Sequence, residues 1–389
     1  MKAGWPILGL IALAAVNVAA GAAPRARDLG IPFDGTPGPL NAITDVAGVT
    51  VGHTTLVSGQ GKLRVGVGPV RTGVTAVLPR GKQTLTSAVF AGWYSLNGNG
   101  EMTGTTWVEE SGFLEGPVMI TNTHSVGVVR DAVIQWRVAQ GVPDSSGYWW
   151  SLPVVGETWD GWLNDINGFH VKREDAFRAL NTARSGTVEE GSVGGGTGMI
   201  CNGFKGGIGT SSRRLADTDG GYTVGVLVQC NYGTRQNLRI AGIAVGGEIE
   251  APEPYTFMPS DIAERGSIIV VVATDTPLLP HQLKRLARRV PLGLGRNGSI
   301  SGNGSGDLFI AFSTANNDAA GIAGVRDLKM VPNESLDAVF AATVAATEEA
   351  IVNAMVAAGD MTGADGHRVI GLPHDRLREI LRKYNRLMP

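Results

Sequence analysis

The sequence has little charge and no clustered metal ligands, and each shortage excludes a class of function. Only 17% of the 389 residues are charged, and the formal net charge is −2. Such a chain has no basic field to gather phosphate groups, so we expect no nucleic-acid partner. The six histidines form no H-x-x-x-H pair and no cluster with cysteine. The sequence therefore predicts no zinc or other metal site.

Two common catalytic patterns are also missing. No G-x-S-x-G elbow is present, and no histidine is tied locally to a serine; because triads assemble in space, this does not exclude a Ser-His-Asp triad. The glycine-rich loop at 97–104 could bind a ligand through its backbone, but it lacks the lysine and Ser/Thr arrangement of a P-loop and the dinucleotide fingerprint. A serine nucleophile would thus need a base other than histidine.

The N-terminal segment carries the features of a secretory signal peptide. Lys2 precedes an apolar run over residues 7–16, and small residues at 20–22 fit an A-x-A cleavage site. The apolar run is too short to span a bilayer, so we expect residues 1–22 to be removed and no membrane partner to remain. We expect the mature chain to be periplasmic, with outright secretion as the alternative.

The two cysteines, Cys201 and Cys230, allow two states. Export would permit a disulfide between them. Both lie in apolar, strand-like runs, however, and two cysteines do not make a disulfide framework. A pair of buried free thiols therefore fits the pattern at least as well.

Glycine, by contrast, is abundant: it supplies 56 of the 389 residues, about twice its usual share. Tight turns and close backbone approaches use glycine, so we predict a compact, loop-rich α/β protein. Apolar runs predict strands at 49–51, 73–78, 117–121, 222–230, 268–272 and 308–312, and helical spacing predicts helices at 125–138, 171–185 and 336–358. No internal repeat or low-complexity linker divides residues 23–389, so we expect a single domain.

The chain is organised around residues 265–289. The apolar run at 268–272 predicts a strand buried on both faces, and the segment after Pro280 predicts a helix with a basic face. Ser267 thus begins a core strand, directly after Gly266. A Gly-Ser pair in this place is usually a turn. The alternative is a self-cleaving serine: if the Gly266–Ser267 bond were cut, the free α-amine, which titrates near neutral pH, would be a base beside the hydroxyl that it activates.

Polar side chains also stand where other predicted strands begin or end. Glu157 follows an apolar run, Asn231 follows the strand at 222–230, and a Ser305-x-Asp307 pair leads into the strand at 308–312. Ligands of α/β folds bind at such strand ends. From the pattern alone, a solvated loop carboxylate is the simpler interpretation of Glu157, and an ordinary turn that of Ser305 and Asp307.

Long runs together carry a resemblance to a known family. They are NAITDVAGVTVGH (41–53), NGNGEMTGTTWVEESG (97–112), PVMITNTHSVG (117–127), ETWDGWLNDING (157–168), RGSIIVVVATDTPLLPHQLKRLARR (265–289) and GSGDLFIAFSTAN (304–316). Over nearly the whole mature chain, the sequence resembles the N-terminal-serine aminopeptidases, the family of the L-aminopeptidase/D-esterase-amidases and the β-peptidyl aminopeptidases.

The resemblance implies a fold and a maturation step. Members resemble N-terminal nucleophile hydrolases, with a four-layer αββα sandwich of two sheets between helix layers. They are made as inactive precursors that cut themselves. The resemblance therefore implies an α chain of residues 23–266 and a β chain of residues 267–389, whose heterodimers assemble into homo-oligomers, commonly tetramers.

The resemblance also implies a role for each candidate residue. Ser267 matches the nucleophile, and Ser305 and Asp307 match the supporting pair, which can stabilise the ammonium form of the α-amine. Asn231 matches the asparagine that donates to the oxyanion. Glu157 matches the carboxylate that receives the free amino group of a peptide or amide substrate.

Trp159 departs from the family pattern. Some members have a tyrosine two residues after the substrate-binding glutamate, whereas this chain has an indole N–H and no hydroxyl. We therefore place Trp159 with the substrate-binding residues and assign the oxyanion contact to Asn231.

The resulting hypothesis is an exported aminopeptidase that acts by acyl transfer through Ser267 and needs no metal or organic cofactor. Export and the NGNGEMTG and ETWDG runs favour removal of N-terminal β-amino acids. One alternative is an aminopeptidase with D-amidase or esterase activity on α-amino acids. The others are a non-catalytic periplasmic binding protein that kept the fold, and an ornithine acetyltransferase-like enzyme, which would carry threonine in place of Ser267.

Overall fold

The structure is a computed structural model that describes residues 23–83, 86–141, 150–255, 266–321 and 323–388, so the predicted signal peptide lies outside the described residues. The strands are β1 (Thr50–Ser58), β2 (Val70–Lys82), β3 (Val89–Ser95), β4 (Phe113–Leu114), β5 (Val118–Asn122), β6 (Val154–Thr158), β7 (Ile200–Cys201), β8 (Phe204–Lys205), β9 (Gly207–Arg214), β10 (Thr223–Asn231), β11 (Ser267–Thr274), β12 (Gly306–Ser313), β13 (Met361–Thr362) and β14 (Arg368–Val369). The α-helices are α1 (Thr105–Ser111), α2 (Val126–Ala139), α3 (Arg173–Asn181), α4 (Pro280–Ala287), α5 (Val290–Arg296), α6 (Asp337–Val356) and α7 (His374–Lys383).

Two sheets form the centre of the molecule. The small sheet has four strands in the order β1-β2-β5-β6, and the large sheet has six in the order β4-β3-β12-β11-β10-β9. In the large sheet β11 is antiparallel to β10 and parallel to β12. A parallel pair needs a crossover connection, and the helices α4 and α5 lie in the segment that joins β11 to β12.

The order of the layers follows from the contacts between their side chains. Apolar residues of the two sheets pack against each other in one core layer, which includes Ile120 of the small sheet and Ile269 of the large sheet. Helices α2 and α3 cover the outer face of the small sheet. Helices α4 and α6 pack on the outer face of the large sheet, and α5 and α7 add side chains to the same core. This αββα sandwich confirms the predicted fold class.

Strand β11 is buried along its whole length because it faces apolar residues on both sides. Ile268 and Val270 point toward the helices, whereas Ile269 and Val271 point toward the small sheet. The prediction of a core strand that begins at Ser267 is confirmed. Side chains alternate along a strand, so that of Ser267 points between the two sheets.

Helix α6 confirms the predicted helix at 336–358 and lies on the large sheet. It is long and apolar enough to cross a membrane by composition, but 94% of its apolar window is buried inside the protein. A helix that is apolar all round is typical of a protein core. Its close contact with β9 requires a glycine in that strand. Gly209 lies where a Cβ would overlap the carbonyl of Ala350 in α6.

Cys201 and Cys230 form a disulfide, so of the two states that the sequence allowed, the structure contains the paired one. Both residues are fully buried. The bond joins the short hairpin of β7 and β8 to the end of β10.

Candidate active site

Ser267 lies in a row of three residues across the large sheet. Its partner in β10 is Asn231, the last residue of that strand, and its partner in β12 is Gly306, the first residue of that strand. Directly opposed residues of antiparallel strands point to the same face, so Ser267 and Asn231 share the face toward the small sheet. The backbone N–H of Gly306 donates a hydrogen bond to Ser267 Oγ at 3.1 Å.

Gly266 occupies a place in which only glycine fits. A Cβ on this residue would overlap the backbone carbonyl of Asn231 and crowd the Cα of Tyr232. Gly266 is therefore packed against the backbone at the end of β10.

Ser305 and Asp307 form a buried hydrogen-bonded pair on either side of Gly306. Ser305 Oγ donates to Asp307 Oδ1 at 2.7 Å. Asn97 holds the same aspartate from the other side, because its Oδ1 accepts the Asp307 N–H at 2.6 Å and its Nδ2 donates to Asp307 Oδ2 at 3.4 Å. Burial raises the pKa of Asp307, and the hydrogen bonds partly oppose the shift. Both residues are fully buried and Asp307 lies in β12, so the interpretation of this pair as an ordinary turn is wrong.

The side chain of Asn231 is fixed at both ends of its amide. Its Oδ1 accepts the backbone N–H of Ile200 at 2.7 Å, and its Nδ2 donates to the carbonyl of Trp159 at 2.9 Å. Since a backbone N–H can only donate and a carbonyl can only accept, these two partners assign the orientation of the Asn231 amide. An amide nitrogen carries two hydrogens, so within the described part of the chain one N–H of Asn231 is left for a ligand.

Trp159 therefore contributes to the site through its backbone carbonyl. The sequence pattern drew attention to its indole N–H, whereas its contact with Asn231 is made by the carbonyl. The next residue, Asp160, is fully buried, and burial raises its pKa to about 6 although neighbouring side chains donate hydrogen bonds to it.

Glu157 is a buried carboxylate in β6, the edge strand of the small sheet, with 3% of its surface exposed. Its Oε1 accepts the backbone N–H of Glu101 at 2.9 Å, and its Oε2 accepts the hydroxyl of Thr123. Burial raises its pKa above the ordinary value, and these two hydrogen bonds act in the opposite direction. The interpretation of Glu157 as a solvated loop carboxylate is wrong.

Residues 97–101 join Glu157 to the row that contains Ser267. Gly100 approaches so closely that a Cβ would lie 3.0 Å from the Cα of Gly306 and 3.4 Å from Glu157 Oε1. At its two ends the loop holds Asp307 through Asn97 and Glu157 through the Glu101 N–H. Thus the six sequence-predicted residues, of which Trp159 contributes its carbonyl, belong with this loop to one region at the ends of β6, β10, β11 and β12.

Several residues that hold the site were not predicted from the sequence. Asn97 and Thr123 lie inside the runs that carry the family resemblance, so a search for polar partners in those runs could have found them. Ile200 acts through its backbone N–H, which has no signature in the sequence. Within the described ranges, no group of three or more His, Cys, Asp or Glu residues could hold a metal ion.

Comparison with known proteins places this geometry in a family. Residues 41–369 match the family described as peptidase family S58. The β-peptidyl aminopeptidase BapA of Sphingosinicella microcystinivorans is 57% identical over 375 residues, which cover 94% of this chain and 93% of that protein.

Solved structures agree with the fold and with the match in sequence. The L-aminopeptidase D-Ala-esterase/amidase of Ochrobactrum anthropi, described as a prototype for the serine aminopeptidases and a variant of the Ntn hydrolase fold, superimposes with a TM-score of 0.86. It is 50% identical, and the match covers 94% of this chain and 99% of that one. A β-aminopeptidase of Burkholderia sp. superimposes with a TM-score of 0.84 at 49% identity, covering 92% of this chain and 99% of that one.

Proposed function

Since the chain belongs to peptidase family S58, we propose that it removes N-terminal β-amino acids from small peptides and amides through an acyl-enzyme on Ser267. The chain is a serine aminopeptidase with an N-terminal nucleophile, as its kinship with the BapA protein and the Burkholderia β-aminopeptidase supports. The observation that carries the residue assignment is the row Asn231–Ser267–Gly306, in which a buried serine that begins a strand lies opposite an amide with one N–H that no described residue accepts.

Self-cleavage at Gly266–Ser267 makes the base that the enzyme uses. Ser267 Oγ attacks the carbonyl carbon of Gly266, the C–N bond breaks, and the departing nitrogen takes up the hydroxyl proton, so that an ester joins the two residues. Water then hydrolyses the ester. Gly266 keeps the new carboxylate as the end of the α chain (23–266), and Ser267 begins the β chain (267–389) with a free amine and a free hydroxyl.

The mature residue then serves as nucleophile and base together. Its unprotonated α-amine accepts the proton of Oγ as Oγ attacks the substrate carbonyl, and Asn231 donates its remaining N–H to the oxyanion. The ammonium returns the proton to the leaving amine, and water attacks the acyl-enzyme with the same α-amine as base. Ser305 and the carboxylate of Asp307 favour the ammonium form between these steps.

Glu157 explains why the substrate needs a free amino group. Each of its oxygens accepts one hydrogen bond, and a carboxylate oxygen can accept more than one. An ammonium that enters this buried place pairs with the carboxylate and offsets part of its desolvation. The paired substrate is thereby held with its first amide bond toward Ser267.

We further propose that the signal peptide at 1–22 directs the chain to the periplasm, and that processed heterodimers assemble into a homo-oligomer, a tetramer in our hypothesis. The sequence features of residues 1–22 support export. Fractionation of cells that express the full chain and light scattering of the purified protein test these two points.

One alternative substrate class is favoured by a specific observation. The Ochrobactrum anthropi protein, which is 50% identical to this chain, is named as an L-aminopeptidase and D-Ala-esterase/amidase. The p-nitroanilides of β-homoalanine, L-alanine and D-alanine discriminate between the two substrate classes.

We expect kcat/KM to be highest for the β-homoalanine anilide and Ser267→Ala to be inactive on all three. Preference for either alanine anilide would assign the chain to the alternative class. Turnover by Ser267→Ala would refute the nucleophile itself.

A further inference from the structure

Lys205 is a fully buried lysine whose hydrogen-bond partners are backbone carbonyls. Its side chain is 0% exposed. Its Nζ donates to the carbonyl oxygens of Gly206 at 2.8 Å, Met199 at 2.9 Å and Gly196 at 3.4 Å. A buried lysine destabilises the fold unless its donors are satisfied, and here three carbonyls match the three N–H donors of the ammonium.

One of these carbonyls belongs to the peptide group that orients Asn231. The carbonyl of Met199 and the N–H of Ile200 are the two polar ends of one peptide, and in a trans peptide they point in opposite directions. Lys205 and the Gly206 N–H both hold the carbonyl end, each at 2.9 Å. The N–H end donates to Asn231 Oδ1 at 2.7 Å. This peptide plane is therefore fixed from both sides.

We propose that Lys205 is a positioning residue for the oxyanion donor: it fixes the Met199–Ile200 peptide, and this peptide fixes the amide of Asn231. The inference rests on the proposed function, in which the free N–H of Asn231 stabilises the oxyanion. Hydrogen bonds in a chain polarise one another, so the contact from Lys205 also strengthens the N–H that Asn231 offers.

The protonation state of Lys205 does not decide this role. Burial lowers its pKa to about 7. A neutral amine still carries two N–H donors, which suffice for the two short contacts to Met199 and Gly206. The positioning contact therefore persists on both sides of neutral pH.

A double-mutant cycle tests the proposal. It compares the wild type, Lys205→Met, Asn231→Ala and the double variant, with kcat normalised to the fraction of chains that begin with a free Ser267. Loss of an oxyanion donor costs roughly 100- to 1000-fold in kcat, and we expect about 10-fold for Lys205→Met with KM changed by less than about twofold. In the Asn231→Ala background, Lys205→Met should cost less than about twofold more, because the group through which it acts is gone. An equal loss in both backgrounds would show a merely structural role and overturn the proposal.

A second measurement needs only the Lys205 variant. An aminoalkyl boronic acid forms a tetrahedral adduct with a serine hydroxyl, whereas the product β-amino acid is a ground-state ligand. We expect Lys205→Met to bind the boronic acid about 10-fold more weakly and the amino acid unchanged. If both affinities stay as in the wild type, or both fall by the same factor, the proposal is wrong. Lys205→Gln, which keeps two N–H donors, replaces the methionine variant if that variant does not fold.

The control variant is Phe204→Leu. Phe204 is the neighbouring, fully buried residue of the same hairpin, and its ring packs under the guanidinium of Arg235. We expect this variant to lower the melting temperature without changing the ratio of the two affinities. Activity of Ser267→Ala would refute the proposed function, whereas an unchanged ratio in the Lys205 variant refutes only the role of Lys205.

Discussion

The fold buries the carboxylate of Glu157, and the hydrogen bonds that it accepts come from uncharged donors. Its two hydrogen bonds come from one backbone N–H and one hydroxyl, and its pKa lies above the ordinary value because burial outweighs them. A ligand that carries a positive charge gains from such a group, since pairing lowers the cost of keeping it ionised. The contact should therefore act on positioning of the scissile bond and not only on binding.

Glu157→Gln keeps the size of the side chain and removes its charge. We expect kcat/KM on a free-amine substrate to fall by roughly 30- to 1000-fold, equivalent to about 2–4 kcal/mol, because a buried charge pair is lost. N-acetylation of the substrate should cost the wild type a comparable factor. The two losses should not add, because both delete the same contact.

The control for this variant is Glu101→Gln, which neutralises the exposed neighbouring carboxylate and leaves its backbone N–H in place. It should stay within about threefold of wild-type kcat/KM. If Glu157→Gln is nearly as active as the wild type and still rejects acetylated peptides, the ammonium is held elsewhere and the assignment of Glu157 is wrong.

Side chains at strand ends could be predicted from the sequence, and the backbone groups that hold them could not. The patterns placed Ser267, Asn231 and Glu157 at the ends of strands, and the structure has them there. Which amide or hydroxyl donates to each depends on chain segments far apart in sequence. The N–H of Ile200 and the carbonyl of Trp159 leave no trace in residue type, because every residue other than proline has both groups.

At the scale of elements, the loop at 97–101 is the spacer of the site. Its residues hold Asp307 on one side and Glu157 on the other, so the loop sets the separation between these two carboxylates. Gly100, which has no side chain, lies against the start of β12.

Gly100→Ala should disturb this spacing. The added Cβ would lie 3.0 Å from the Cα of Gly306, which is closer than ordinary carbon contacts, so the loop or the start of β12 must move. We expect kcat/KM to fall about 10-fold with a small change in melting temperature, because the displaced groups position the reaction more than they hold the fold.

Gly98→Ala is the matched control for the same loop. A Cβ at this position has no heavy atom within 4 Å. Its activity should therefore equal that of the wild type. Equal activity of both alanine variants would show that the spacing tolerates the change, and would contradict the role given to the loop.

The boundaries of β2 show where the pattern of apolar residues fails to predict the extent of a strand. Strand β2 runs over Val70–Lys82, beyond the predicted run at 73–78 in both directions, and its first part includes Arg71 and Thr72, which are buried although their types favour the surface. The guanidinium of Arg71 is satisfied by backbone carbonyls, including those of Ser58 and Thr362. Such partners come from distant parts of the chain, so the apolar pattern alone began the strand too late.

At the scale of the whole molecule, the proposed cut divides a sheet and not a pair of domains. The α chain would supply β3, β4, β9 and β10 of the large sheet, and the β chain would supply β11 and β12 between them. The two chains would therefore share both core layers next to this sheet.

We expect the purified protein to show two chains on a denaturing gel, the smaller beginning SIIVVVATD, and one particle under native conditions. The two chains should separate without a reducing agent, because the Cys201–Cys230 disulfide lies wholly within the α chain. Ser267→Ala should remain one chain, since it lacks the hydroxyl that attacks Gly266. N-terminal sequencing and size-exclusion chromatography check these outcomes. A single intact chain that hydrolyses substrate would contradict the mechanism.

The place of β11 in the middle of the large sheet has a thermodynamic consequence. The precursor folds as one chain, so every strand reaches its neighbours at the high effective concentration that a covalent connection provides. After the cut, an unfolded enzyme must bring two separate chains together, and its recovery becomes a second-order process that depends on protein concentration. The mature enzyme would then persist through a slow unfolding rate more than through a reversible equilibrium. Maturation would thus make folding a step that each molecule completes once.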